Sequence, residues 1–279
     1  MAAVTDPSVR LFFCEGKLDS LLLNRMVPLS KGEIRSTGGK RSMRAFIRGH
    51  LAGYSPERQP ECVGFRDRDF DIEPPERQEL IRLRGETPIW LTFRACIESY
   101  FVDAELVHDY WTASAGSPNW GHGNPPSADE IREKVIESAR ELAEYQAIRW
   151  ALAKLKPCSR WPEIETTWTG ESGRLPASLT FGDCLNQASR LVREFVAAVS
   201  QINAAKLEEG AYEYRRRFSQ PDFYSKELFV VWFCGKDLLI QLSRHLADNF
   251  PHRHYAAWAV DHIDFTRFPD LQQLAAMCG

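Results

Sequence analysis

The chain has 279 residues, and 35 Lys and Arg residues against 38 Asp and Glu residues give it a formal net charge of −3. Its 44% hydrophobic and 26% charged residues are typical of a folded globular protein and exclude a disordered chain. No apolar run reaches the roughly 18–20 residues of a membrane helix, and the first residues lack the apolar core of a signal peptide, so we expect a cytoplasmic protein with no membrane partner.

The first 107 residues alternate between predicted strands and predicted helices. Short apolar runs predict the strands, and apolar residues at helical spacing predict the helices. The predicted strands are residues 9–14, 33–36, 62–65 and 89–91, and the predicted helices are residues 19–27, 43–51 and 93–107. This alternation predicts an α/β fold with a mostly parallel sheet flanked by helices.

The rest of the chain is predicted to be mainly helical. Residues 113–126 are rich in Gly, Ser, Pro and Asn, which predicts a linker or long loop. The predicted helices beyond it are residues 127–155, 180–207, 225–246 and 254–277, the last broken at Pro269, and a hairpin is predicted around Gly170-Glu171-Ser172-Gly173. A mainly α-helical C-terminal region is therefore expected to follow the sheet.

Positive and negative charges are segregated along the chain. Residues 31–48 include six basic residues and one acid, whereas residues 61–79 include seven acids and three arginines. The small net charge therefore does not exclude nucleic-acid binding, because a basic surface can coexist with an acidic site. The candidate phosphate contacts are Lys40, Arg41 and Arg44, which follow a Gly-Gly turn at the start of a predicted helix.

Two acidic clusters each follow a predicted strand. Glu15 and Asp19 come directly after the first strand, four residues apart, and face the same way if a helix begins at once. Asp67, Asp69 and Asp71 follow the third strand, where alternate side chains of an extended segment share a face. In doubly wound sheets, functional groups gather beyond the carboxyl ends of the strands. We therefore expect the two clusters to meet.

Converging carboxylates raise each other's pKa values unless a cation lies between them. Hard oxygen ligands suit Mg²⁺ or Mn²⁺, and two such ions about 4 Å apart stabilise both the attacking and the leaving oxygen of a phosphodiester. Acid-rich loops are also common on protein surfaces. The prediction of a two-ion site therefore depends on the presence of both clusters, each directly after a strand of a predicted α/β fold.

The two clusters resemble those of a TOPRIM domain, the metal-binding module of topoisomerases, bacterial primases and nucleases related to the overcoming-lysogenization-defect (OLD) family. The matching segments are Phe13-Cys14-Glu15-Gly16-x-x-Asp19 and Gly64-Phe65-Arg66-Asp67-Arg68-Asp69. The segments 92–101 and 232–239 also resemble "I-E-N-Y-L" and "G-K-D-L-L" stretches of stand-alone OLD-like proteins, although Ser99 and Phe101 depart from the usual Asn and Leu. The resemblance covers residues 9–107 and that short second segment.

The resemblance implies a metal-dependent nuclease that cleaves DNA or RNA, tRNA included, as the toxic effector of an anti-phage defence system. It implies a partner ATPase of the ABC/SMC type that holds the nuclease inactive until infection. The implied domains are a TOPRIM-like metal-binding nuclease domain (1–112), a linker (113–126) and a mainly helical C-terminal domain (127–279). A homodimer is also expected, because one compact site with a modest basic surface needs a second subunit to hold a large nucleic acid.

The resemblance also implies a role for individual residues. Glu15, Asp67 and Asp69 would be metal ligands, and Glu15 is alternatively a general acid or base. Three further acids would be supporting ligands or would hold those ligands in place: Asp19, Asp71 and Glu98. Lys236 or Lys40 would stabilise charge that develops on the phosphate.

Other functions remain open from the sequence. A non-catalytic regulatory or scaffold subunit of an ATPase complex would use the same acids to hold a structural ion or a basic partner. A topoisomerase or primase would need a longer chain. In haloacid-type phosphatases the D-x-D motif follows the first strand, and a D-x-D glycosyltransferase would leave Glu15 and Gly16 unexplained.

Overall fold

The computed structural model describes residues 10–27, 32–55, 57, 59–85, 87–155, 168, 175–200, 202–247 and 250–278, except for the side chains of Arg41 and Cys278. The hairpin predicted around Gly170-Glu171-Ser172-Gly173 lies outside these residues.

A five-stranded sheet forms the core of the fold. Its strands are β1 (Arg10–Cys14), β2 (Gly32–Ser36), β3 (Cys62–Arg66), β4 (Ile81–Arg82) and β5 (Ile89–Leu91). The strand order is β2-β1-β3-β5-β4, and every neighbouring pair is parallel except β4 and β5. The predicted α/β fold with a mostly parallel sheet is confirmed. The antiparallel edge strand β4 was not predicted, because two residues are too few to show a period.

Helices alternate with the first three strands and are the main elements of the described chain after β5. They are α1 (Lys17–Met26), α2 (Lys40–Leu51), α3 (Ala104–Ala115), α4 (Ala128–Lys154), α5 (Phe181–Ser200), α6 (Ala204–Phe218), α7 (Pro221–Ser225), α8 (Phe229–Trp232), α9 (Gly235–Leu246), α10 (His252–His262) and α11 (Pro269–Cys278). The helical C-terminal region is thus confirmed.

Three predicted helices are wrong in extent, and side-chain caps explain two of them. Residues 93–107 form bends and a 3₁₀ turn (Ile97–Phe101) before α3, whose start is set by Asp103, because its side chain accepts hydrogen bonds from two backbone N–H groups of the first turn. Residues 180–207 divide into α5 and α6 at Asn203, which caps α6 in the same way. Residues 225–246 divide where the backbone of Phe233 and Cys234 is extended.

Helices pack on both faces of the sheet. Successive side chains of β1 point to opposite faces, so this strand contacts helices on each side. Leu11 and Phe13 pack with Met43 of α2 in one buried cluster. Cys14 points to the opposite face, where its Sγ lies 3.1 Å from the Oγ of Ser20 on α1. A strand that is buried on both faces is typical of a parallel sheet.

The chain divides into two compact units, residues 1–143 with 220–279, and residues 144–219. The first unit contains the sheet and both acidic clusters. In the second, the rings of Trp150 and Tyr214 lie 5.5 Å apart, and α5 has no buried residue. The boundaries at residues 112 and 127 stay a prediction. In the described part of the chain, no helix is both long and apolar enough to cross a lipid bilayer.

Candidate metal centre

The acidic clusters lie at the point where the sheet changes the direction of its strand order. Glu15 follows β1 and Asp67 follows β3, and these two strands are parallel neighbours. The chain passes from β1 to β2 on one side and later to β3 on the other. In open α/β sheets this arrangement leaves a crevice beyond the carboxyl ends of the strands, where ligands bind.

A cleft of about 480 Å³ occupies this position, which is in the usual size range of ligand sites. Its lining includes Glu15, Asp19, Asp67, Glu98 and Lys236. The expectation that the two clusters meet is therefore confirmed for the acids that line the cleft. The 3₁₀ turn and α9 add one charged residue each to this lining, Glu98 and Lys236.

Glu15 and Asp19 are held by the tight turn into α1. Asp19 accepts a hydrogen bond from the backbone N–H of Gly16 at 2.9 Å and is 6% exposed. Burial is the main reason that the pKa of Asp19 rises to about 6. The Gly16 hydrogen bond opposes this rise, and the negative charges of Glu15 and Glu98 add to it. Burial, and then the charge of Asp69, also raise the pKa of Glu15.

Asp67 lies between the 3₁₀ turn and α9. Its Oδ1 accepts a hydrogen bond from the Ile97 N–H at 2.9 Å, and its Oδ2 lies 3.8 Å from the Nζ of Lys236. The same ammonium lies 3.7 Å from Oε1 of Glu98. Burial, and then the charge of Asp19, hold the pKa of Asp67 well above its ordinary value. For Lys236, burial lowers the pKa, but Glu98 and Asp67 outweigh this effect and the net shift is upward.

Asp69 and Asp71 are not among the residues that line the cleft. The backbone of Asp69 is left-handed, with φ of 51°, and a turn closes where the Asp71 N–H donates to the Arg68 carbonyl at 3.2 Å. The expectation of an extended segment with all its carboxylates on one face is therefore wrong. Asp71 instead accepts a hydrogen bond from Arg66 at 2.9 Å.

The predicted phosphate contacts lie in different places. Lys40 is within the acidic cluster, with its Nζ 2.9 Å from Oδ2 of Asp69 and 3.2 Å from both Asp71 oxygens. Arg44 is exposed on α2, and the side chain of Arg41 is outside the described residues. Of these three residues, only Arg44 has a described side chain that lies on an exposed surface.

The buried guanidinium of Arg68 was not identified from the sequence. It is fully buried and donates to the carbonyls of Phe93 at 3.1 Å, Ile72 at 2.6 Å and Val231 at 2.6 Å. It therefore connects the D-x-D turn to the segment after β5 and to α8. An Arg between two Asp residues is typical of a solvated loop, so the sequence alone does not indicate that Arg68 is buried and connects these segments.

The donor set of the cleft fits a hard divalent cation. Three carboxylate oxygens are buried and have no hydrogen-bond partner among the residues that the structure describes: Glu15 Oε2, Asp19 Oδ1 and Glu98 Oε2. Buried acceptors left without a partner cost about 1–3 kcal/mol each, and more when charged. Mg²⁺ and Mn²⁺ prefer such oxygens.

Cys96 is a further potential donor beside the acids. Its Sγ and oxygens of Asp67 and Glu98 lie within 4.8 Å of one another. Burial, and then its contact with Cys234, raise the pKa of the Cys96 thiol, so the neutral thiol is favoured. Oxygen atoms are therefore the better ligands of a hard ion here.

No protein-family model matches the chain, and no curated protein matches it. The relationship to TOPRIM nucleases consequently stays a prediction that depends on the motif residues.

The pKa shifts predict how a divalent ion should affect stability at different pH values. Because folding raises the pKa of Asp19 from 3.8 to about 6, ionising it costs stability as the pH rises through that range, on the order of 3 kcal/mol. A cation removes this cost only from the ionised form. We expect Mn²⁺ to raise the melting temperature more at about pH 8 than at about pH 5.

Melting curves of the full chain with Mn²⁺ and with EDTA, recorded at both pH values, test this expectation. Asp19→Asn should weaken the pH dependence of the Mn²⁺ effect, and Asp129→Asn, on an exposed acid of α4, should leave it unchanged. Equal Mn²⁺ effects at both pH values in the wild-type chain would contradict the prediction.

Proposed function

We propose that the chain is a Mg²⁺- or Mn²⁺-dependent nuclease that hydrolyses phosphodiester bonds. One observation carries the proposal: Glu15, Asp19, Asp67 and Glu98 converge on one cleft at the carboxyl edge of β1 and β3, and three of these four carboxylates keep a buried oxygen without a partner in the described residues. Keeping several buried carboxylates ionised in one cleft costs stability, and a divalent cation beside them removes that cost.

The residues of the cleft have separable roles in this reaction. Glu15 and Asp67 would hold the ion, with Asp19 and Glu98 in support. The bound ion would supply a polarised phosphate and an activated water. Lys236 contacts both Asp67 and Glu98, yet its side chain is 55% exposed, so its ammonium can also reach a phosphate oxygen in the cleft. A positioned ammonium stabilises negative charge that develops during cleavage.

The biological setting is proposed from the motif resemblance. The motifs resemble those of AriB, the TOPRIM effector of the PARIS anti-phage system. By that resemblance the nuclease would be cytoplasmic and toxic, would act on tRNA or DNA, and would be restrained by an ABC/SMC-type ATPase. Its active form would be a homodimer, which light scattering of the free chain tests.

The direct test is cleavage by the purified chain, free of any partner. A mixture of cellular RNA and plasmid DNA is incubated with the chain and Mg²⁺ or Mn²⁺, and a parallel reaction contains EDTA. We expect metal-dependent fragments from one nucleic-acid class, with termini that sequencing locates. The absence of cleavage of either class under all metal conditions would exclude the enzyme.

A non-catalytic scaffold is the second candidate function. It is favoured by the ion pairs of Lys40 with Asp69 and Asp71, because a cluster that is partly neutralised by its own lysines can be purely structural. A scaffold would show the metal-dependent stability described above without any cleavage, so the two measurements together separate the candidates.

A further inference from the structure

One half of the acidic cluster already contains its counter-charges. The carboxylates of Asp69 and Asp71 face two cationic side chains, Lys40 and Arg66. The Nζ of Lys40 lies 2.9 Å from Oδ2 of Asp69, and the Nη1 of Arg66 lies 2.9 Å from Oδ2 of Asp71. Two carboxylates and two cations leave this half without net charge, so it has little attraction for a divalent ion.

The other half lacks such compensation. Glu15, Asp19, Asp67 and Glu98 are accompanied by one cationic side chain, Lys236. The three buried oxygens without a hydrogen-bond partner in the described chain all belong to this half. When all four carboxyls are ionised, they and the one ammonium leave an excess of three negative charges, which a single divalent ion largely neutralises.

The position of Lys40 is fixed by the backbone that precedes it. Lys40 is the first residue of α2, and Gly38 and Gly39 before it have φ of 73° and 153°, which side chains rarely allow. Ser42 holds this turn closed, since its Oγ donates to the carbonyls of Thr37 and Gly39, each at 2.8 Å. The turn thus defines the backbone position from which the Lys40 ammonium reaches Asp69 and Asp71.

We propose that the Lys40 ammonium takes the place of a second divalent cation, so that the centre binds one Mg²⁺ or Mn²⁺ ion, on the side of Glu15 and Asp67. This inference depends on the proposed function, because it assumes that the cleft binds a catalytic ion. It replaces the two ions expected from the sequence with one ion and one lysine. Lys40 then neutralises the Asp69 and Asp71 side of the cleft whether or not the ion is bound.

The number of Mn²⁺ ions per chain tests the proposal without an activity measurement. Mn²⁺ is titrated into the full-length chain and free Mn²⁺ is followed by electron paramagnetic resonance. We expect one ion for the wild-type chain and two for Lys40→Met, because Asp69 and Asp71 then lose the ammonium between them. Lys40→Arg keeps the positive charge and should bind one ion. Lys17→Met removes an exposed lysine that lines the same cleft and should also bind one.

The outcomes distinguish this inference from the proposed function. Two ions in the wild-type chain, or a spin-coupled Mn²⁺ pair, would overturn the role of Lys40 while metal-dependent cleavage stands. A single ion in Lys40→Met, with melting that shows a folded chain, would overturn it as well. No bound Mn²⁺ in the wild-type chain would remove both proposals. If Lys40→Met does not fold, the wild-type count and Lys40→Arg decide.

Discussion

Glu15→Gln should lower metal-dependent cleavage by roughly 10²–10⁴-fold, because a bound ion contributes several kcal/mol of transition-state stabilisation and each ~1.4 kcal/mol is a factor of ten in rate. Gln keeps the size of the side chain but removes the negative charge that attracts the cation. Because burial and Asp69 raise the pKa of Glu15 in the ion-free chain, the same substitution should raise the melting temperature measured in EDTA. Lost activity together with increased stability is a result that misfolding cannot produce.

Asp67→Asn should have the same two effects. The Oδ1 of Asp67 accepts the Ile97 N–H at 2.9 Å, and the amide oxygen of Asn can accept it in the same place. The position of the 3₁₀ turn should therefore be kept while the charge is lost. Cleavage rates and melting curves with Mn²⁺ and with EDTA measure both effects, and Mn²⁺ should stabilise this variant less than the wild-type chain.

The controls are matched by residue type. Glu133→Gln and Asp129→Asn change exposed acids of α4 and should leave both cleavage and the Mn²⁺ effect at wild-type values. Full cleavage by Glu15→Gln and by Asp67→Asn would show that the cleft is not the active site. Equal losses in the controls and in the cleft variants would point to a general effect of charge.

The sheet and the edge at which the acids meet could be predicted from sequence for a physical reason. A strand that is buried on both faces is a continuous apolar run, as in residues 11–14 and 62–65, and polar residues follow where the strand leaves the core. Glu15 and Asp67 mark those ends. The positions of Glu15 and Asp67 along the chain could therefore be predicted from the apolar runs that mark buried strands.

The ion pairs that Asp69 and Asp71 form with basic side chains could not be predicted in the same way. The D-x-D spacing suggests carboxylates that share one face, yet the left-handed backbone of Asp69 sends the chain into a turn. A basic residue after Gly38-Gly39 suggests a surface for phosphates, yet the turn places Lys40 against Asp69. Both outcomes depend on backbone angles at single residues, which residue type alone does not determine.

Contacts between residues that are far apart in the sequence could not be predicted from the periodicity of apolar residues either. Glu98 and Lys236 entered the sequence interpretation only through the resemblance of short motifs, and the structure places both beside Asp67. What brings α9 to this place is a close backbone contact at Gly235, the residue before Lys236. Gly235 lies directly against the 3₁₀ turn that carries Glu98.

Gly235→Ala should therefore be among the most damaging substitutions outside the proposed metal ligands. A Cβ at this position would lie 2.1 Å from the backbone N of Ser99 and 2.4 Å from the carbonyl carbon of Glu98. Backbone atoms cannot move aside as the end of a flexible side chain can. The Gly235 N–H also donates to the Sγ of Cys96 at 3.2 Å, so α9 cannot shift without losing that bond.

We expect Gly235→Ala to lower the free energy of unfolding by about 3 kcal/mol or more, at the upper end of overpacking costs, and to move Lys236 away from Glu98 and Asp67. Gly49→Ala is the matched control, since a Cβ there meets nothing within 4 Å and Ala favours the interior of α2 by about 1 kcal/mol. The urea concentration at the midpoint of unfolding should thus fall for Gly235→Ala and rise for Gly49→Ala, although both are Gly-to-Ala substitutions. Equal shifts would mean that the contact between α9 and the 3₁₀ turn is looser than the structure shows, and the position of Lys236 in the cleft would lose its support.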